Sequence, residues 1–224
     1  MSTLRTRSTA IIAAAALMLA VCGCSTSPGA SSPGPSSSDA PAPTSTTDQV
    51  FGSRSPAEPA GEVIGTGTVL DEDGAVKLCM GAIMESYPPQ CVGIPLKDWS
   101  WDGVDGSEAS AQTRWGAYAV TGTFDGTAFS LTQPPVMLAL YDPMMPADPT
   151  DGVDGTTDQA ELDRILGQIG DRFDADLRLL LGTRPDRGYA WVDVVWDDGT
   201  LQADADTEFG PGVVIVRSAL RAIG

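Results

Sequence analysis

Apolar and polar positions alternate with a period of two from Arg114 to Thr132, RWGAYAVTGTFDGTAFSLT, on both sides of Asp125-Gly126. A two-residue type I′ turn at Asp125-Gly126 would pair Gly122 with Phe129 and Val120 with Leu131. Tyr118, Val120, Phe129 and Leu131 then share one face, the expected core side. An earlier strand pair, Val63 to Leu70 and Ala75 to Met80, is joined by the turn Asp71-Glu72-Asp73-Gly74. Pro134-Pro135 precede a last strand from Val136 to Tyr141. Several short strands with Gly-rich turns predict a small antiparallel β barrel or sandwich over residues 62–145.

The period changes after a connection over residues 143–156, where Pro143, Pro146, Pro149, Gly152 and Gly155 interrupt all regular spacing. Leu162, Ile165, Leu166, Ile169, Phe173 and Leu177 recur at helical spacing, with Asp163, Arg164, Gln168, Asp171 and Arg172 on the other side. Asp158, three residues before Glu161, can cap that helix, in competition with Thr156 and Thr157. Tyr189 to Trp196 is β-rich. Thr200 can cap a short helix that Gly210 and Pro211 end, and Val213 to Val216 follows as an apolar strand. The expected class is α+β: the barrel or sandwich, then an α-β-α-β subdomain over 146–224 with a parallel strand-helix-strand crossover.

The amino terminus has a different character. Arg5 and Arg7 precede an uncharged apolar run from Ala10 to Val21, shorter than the roughly 20 residues a spanning helix needs. The following Val21-Cys22-Gly23-Cys24-Ser25 resembles a bacterial lipoprotein signal, with an aliphatic residue at −3, a small residue at −1 and then Cys. The resemblance implies a signal peptide over 1–23, removed before Cys24, with Cys24 lipidated and its new amino terminus acylated. Two or more acyl chains, at about 0.8 kcal/mol per buried methylene, give stable anchoring where one does not. Residues 24–61 are rich in Ser, Pro, Thr and Gly and read as a disordered tether. The mature chain is therefore expected on the extracytoplasmic face of the cell membrane, with the membrane as a partner through the anchor.

Charge narrows the other partners. The chain has Lys+Arg 13 against Asp+Glu 30, a net charge of -17, and no His. Residues 61 onward hold ten of the 13 basic and 27 of the 30 acidic groups. Such a surface repels phosphate backbones, so nucleic acid is not an expected partner. The missing imidazole removes His-dependent triads, His-ligated metal sites and His proton relays. No phosphate-binding loop, G-x-S-x-G elbow or S-x-x-K motif is present, and no cofactor is expected.

Cys79 and Cys91, separated by the Pro88-Pro89 bend, are expected to form a disulfide in an exported domain. Asp142, Asp148, Asp151, Asp154, Asp158 and Glu161 crowd the connection. They suit either a Ca²⁺ site or a solvated turn with an acidic helix start, and their spacing is not that of an EF-hand. Trp99 and Trp101 would share a face on a strand, as a ligand platform or as core cover. Trp191 and Trp196 are an odd number of positions apart and would face opposite sides.

The stretch WGAYAVTGTFDGTAFSLT with its LALYDP continuation, and DDGTLQADADTEFGPGVVIVRSAL near the end, resemble secreted or lipidated proteins of actinobacteria. The resemblance spans most of residues 62–222 and implies an exported envelope module, without an activity or catalytic residue to carry over. The expected function is a lipid-anchored binding or adaptor module whose partner is a cell-envelope protein or glycan. Two alternatives stand beside it: a cell-wall glycan hydrolase using two carboxylates, and a Ca²⁺-dependent adhesion module.

Overall fold

A computed structural model describes residues 50–143, 146–173 and 179–223. The signal segment, Cys24 and the tether up to residue 49 lie outside the described residues, as does Leu177. The described residues form a single compact unit. Strands dominate it, giving an α+β class with a barrel-like sheet.

Nine strands come first: β1 (Val63–Glu72), β2 (Ala75–Cys79), β3 (Ile83–Met84), β4 (Gln90–Cys91), β5 (Ile94–Lys97), β6 (Ser107–Ser110), β7 (Thr113–Phe124), β8 (Phe129–Leu131) and β9 (Val136–Met137). Then follow α1 (Gln159–Phe173), β10 (Leu180–Asp186), β11 (Tyr189–Val194), α2 (Thr200–Phe209), β12 (Val214–Ser218) and β13 (Arg221–Ala222). Strands β1, β2, β5, β8 and β7 pair in a ring, because β7 returns to β1 along its length from Val63↔Gly122 to Glu72↔Thr113. The β5–β8 junction is parallel and the other four are antiparallel.

The Asp-Gly dipeptides of the β1–β2 and β7–β8 connections fold differently. Asp73-Gly74 makes the two-residue turn, with both residues at positive φ (57° and 88°) and Glu72 opposite Ala75. Asp125-Gly126 instead opens a four-residue loop, and the expected register is corrected by two positions: Gly122 pairs with Leu131 and Phe124 with Phe129. The cause is the Asp125 carboxylate, whose Oδ1 accepts from Thr127 N (3.0 Å), Thr127 Oγ1 (2.7 Å) and Ala128 N (2.7 Å), so the loop closes around the side chain. A shift of two keeps the faces. Tyr118, Val120 and Phe129 all lie fully buried inside the barrel. The last expected strand is cut short, since Leu138–Leu140 forms a 3-10 turn after β9.

Cys79 and Cys91 are at disulfide distance, with Cα atoms 6.1 Å apart. They join Leu70 and Trp115 in a small cluster on the outer face of the barrel. Such a closed loop contributes about 3 kcal/mol in the chain-entropy description.

In the second half, β10, β11 and β12 form a separate sheet, with β10–β11 antiparallel and β11–β12 parallel across α2. The strand β10 has no counterpart in the sequence reading, because its burial pattern is broken by Gly182 and Pro185 and its partner is a hairpin away. Asp158 caps α1 as expected, through its Oδ1 and Glu161 N at 3.1 Å. Thr200 does not cap α2; the carboxylates of Asp197 and Asp198 accept from the amides of Leu201 (2.9 Å) and Thr200 (3.1 Å). One face of the sheet packs Ala190, Val192, Val194 and Val214 against Leu162, Ile165 and Ile169 of α1 and Leu201 and Ala205 of α2. The two halves do not have separate interiors: Val195 and Leu220 are fully buried in the barrel core beside Val63, Leu78 and Val120.

The tether boundary at residue 61 also needs correction. Phe51 is fully buried between Phe173 (5.6 Å between ring centroids) and Phe209 (6.4 Å), and its amide donates to Glu208 Oε2 at 2.7 Å. Arg54 donates through Nε (2.9 Å) and Nη2 to Asp204, a carboxylate with no solvent exposure. Ala57 N donates to Asp198 (3.1 Å) and Trp196 Nε1 donates to Ala57 O (2.9 Å). One buried ring, one ion pair between half-exposed Arg54 and a buried carboxylate, and these backbone bonds offset the ordering entropy that the Ser/Pro-rich composition suggested would prevail. Phe51→Ala is expected to destabilise the domain by about 3–5 kcal/mol in urea unfolding, the range for emptying a buried Phe site. A change under about 0.5 kcal/mol, the range of surface substitutions, contradicts the integral role of this strap.

Candidate functional site

A cavity of about 700 Å³ lies at the seam between the barrel and the three-stranded sheet. Thr66 of β1 and the Met80-Gly81-Ala82 turn form the barrel side, and Leu181, Asp193 and Val216 to Ala219 form the sheet side. Pro143, Pro146 and Pro149 of the connector make a third wall. Close approach at the seam requires glycine at position 81, since a Cβ there would stand 2.8 Å from the Leu181 carbonyl oxygen.

A charged group is built into the sheet side by strand alternation. Trp191 and Asp193 are two apart on β11 and so share the face opposite the α1/α2 core. Register brings Arg184 of β10 opposite Trp191 and Arg217 of β12 opposite Asp193. Asp193 Oδ2 accepts from Arg184 Nη1 at 2.9 Å, and Oδ1 accepts from Arg217 Nε at 2.7 Å, with Arg217 Nη2 2.6 Å from the same oxygen. Both guanidiniums lie on the indole of Trp191, 5.2 and 5.1 Å from a ring centroid. One carboxylate therefore orients two cations, and the trio keeps a positive charge in a strongly acidic protein. Arg221 lines the same cavity. Met80, Ala82, Leu181, Val216 and the prolines supply its apolar wall, and Thr66 and Ser218 add hydroxyls.

The β1–β2 and β7–β8 connections of the barrel are a two-residue and a four-residue turn. They are too short to wall a site. Among the described lining residues of the cavity, Asp193 is the single carboxylate.

The acids of the connector are placed apart. Asp148 accepts from Thr150 and Arg187, Asp158 caps α1, and Glu161 pairs with Arg164. Among the described residues no three of His, Cys, Asp or Glu cluster as a metal site. Trp99 and Trp101 lie in the loop after β5, not on a strand, and both are half-buried. They pack edge to face at 5.0 Å and against Tyr118 at 5.3 and 6.2 Å, closing one end of the barrel. Trp101 Nε1 donates to Asp71 (2.8 Å), and Arg114 lies 4.5 Å over its ring. The pair covers the core rather than offering a platform. Trp191 and Trp196 separate as expected, Trp191 among the arginines and Trp196 against the barrel core.

Sequence reasoning did not single out Arg184, Asp193 or Arg217. A Trp-x-Asp pair on a β-rich segment was visible, but its neighbours depend on a parallel register with a strand 24 residues on. Comparison with protein-family models, with curated proteins and with solved structures finds no match.

The Thr150 hydroxyl and amide, then Arg187, hold the Asp148 carboxyl down at about 2 from its ordinary 3.8. The Glu208 carboxyl is likewise lowered, first by Arg172 and also by the Phe51 amide. A group lowered in the folded state contributes stability above its unfolded pKa, and that contribution disappears as pH falls through the folded value. Relief of repulsion among the many acids acts in the opposite sense, so a variant isolates the effect. The urea midpoint of Asp148→Asn is expected to fall less than that of the parent between about pH 5 and about pH 2. An equal or larger fall contradicts this assignment.

Proposed function

We propose that this chain is a lipid-anchored binding module of the cell envelope, held at the extracytoplasmic face through Cys24, with its ligand seated in the seam cavity. The cavity carries the reading. Its volume of about 700 Å³ falls within the roughly 300–1,000 Å³ of ligand sites, and it combines apolar walls with a few converging polar groups. The lipoprotein-like signal and a cysteine pair at disulfide distance support an oxidising, exported location. We read residues 146–224 as the α/β layer that completes the cavity against the barrel, rather than as an independent module. The strap at residues 51–57 sets where the tether begins, and so holds the cavity a short span of chain from the anchor.

Two measurements test this reading. Mass spectrometry of the membrane fraction is expected to show a mature chain starting at an acylated Cys24; an unmodified Cys24 contradicts the anchor. Native mass spectrometry of the full-length protein extracted from its own membranes is expected to show a bound small molecule that Ala82→Trp, at an exposed position of the cavity wall, loses. An adduct retained by Ala82→Trp, or no adduct on the parent, contradicts the assignment of the cavity.

A further inference from the structure

We infer that the seam cavity takes a small amphiphile whose head is an oxyanion, carboxylate or phosphate, received by Arg217, and whose apolar body lies along the Met80, Leu181, Val216 and proline walls. The inference rests on the binding-module reading and names the class of ligand.

Charge complementarity is the first argument. The chain carries -17 overall, yet Asp193 and Arg217 of this wall are joined by Arg184, so that two guanidiniums share one carboxylate. An anion entering here meets the excess positive charge of the trio, whereas a cation meets it as repulsion. Hydrogen-bond supply is the second. Asp193 engages Arg217 through Nε and approaches Nη2, while Nη1 donates to no acceptor among the described residues. Its N–H groups form the fork that matches carboxylate and phosphate oxygens. Preorganisation is the third: the Trp191 ring and Asp193 hold the Arg217 guanidinium before any ligand arrives, so little side-chain freedom is lost on binding. The apolar walls make the fourth. Inorganic phosphate alone would leave Met80, Leu181 and Val216 facing water, so the class includes an apolar body.

The experiment uses the full-length protein with four probes below their micellar concentrations: octanoate, octyl phosphate, octyltrimethylammonium and inorganic phosphate. Binding is read by calorimetry and by shifts of the Trp191 indole and Arg217 side-chain resonances. Octanoate or octyl phosphate is expected to bind and move those resonances, with inorganic phosphate weaker and octyltrimethylammonium silent; which of the two anions binds tighter identifies the head. Arg217→Gln is expected to weaken binding by about tenfold or more. Because Arg217 also braces Asp193, Ala82→Glu serves as the second variant: it adds a negative charge at an exposed wall position, leaves the internal bonds in place, and is expected to weaken the anions alone. Equal binding of octyltrimethylammonium, or anion binding unchanged in both variants, overturns the oxyanion class while leaving a cavity that binds. Absence of binding by every probe also overturns it, and the native adduct lost in Ala82→Trp then still speaks for the module.

Discussion

Leu220 sits inside the barrel, and the rest of the architecture depends on it. The residue comes from the end of the three-stranded sheet, between β12 and β13, and with Val195 is fully buried in a core otherwise built by β1, β2, β5, β7 and β8. Gly65 makes room: a Cβ at that position would lie 2.7 Å from Leu220 Cδ2. Once the side chain is seated, β13 pairs with the start of β1, Val63 opposite Ala222, and the second sheet has a fixed place at the barrel's end. The cavity is what remains between them. Its arginines therefore keep their position relative to Met80 and Thr66 through a hydrophobic contact, not through the partly exposed ion pairs, which contribute little on their own.

The same economy of placement governs charge. Arginine is the usual internal tie: Arg54 meets buried Asp204, Arg172 meets Glu208, and Arg187 meets Asp148. Each of these joins segments far apart in sequence, strap to α2, α1 to α2, and the β10–β11 turn to the connector. At the seam the pattern differs, since two guanidiniums share Asp193. A surface rich in acid elsewhere sharpens the contrast in potential at that one wall.

What the sequence made legible follows from the range of the interaction involved. Alternation placed Tyr118, Val120 and Phe129 on the core face even though the loop length was misjudged, because a two-residue slip preserves parity. The helical face of Leu162, Ile165 and Ile169, and the parallel crossover from β11 to β12, are equally local signals. The strap was hidden because one Phe and one Arg in a Ser/Pro-rich run carry no period; their partners, Asp204 and Glu208, lie about 150 residues away. The seam cavity was hidden for a related reason. It exists only once the barrel, the sheet and the proline connector are assembled, and no spacing in the chain encodes that meeting.

A shared core makes the barrel and the three-stranded sheet one cooperative unit, and native-state hydrogen exchange tests this directly. Slow amides of β1 and β7 and those of β11 and β12 are expected to open with the same free energy, and Leu220→Ala to lower both sets together by about 3 kcal/mol. Two distinct opening energies in the parent, with Leu220→Ala altering the sheet while the barrel stays unchanged, would contradict the account.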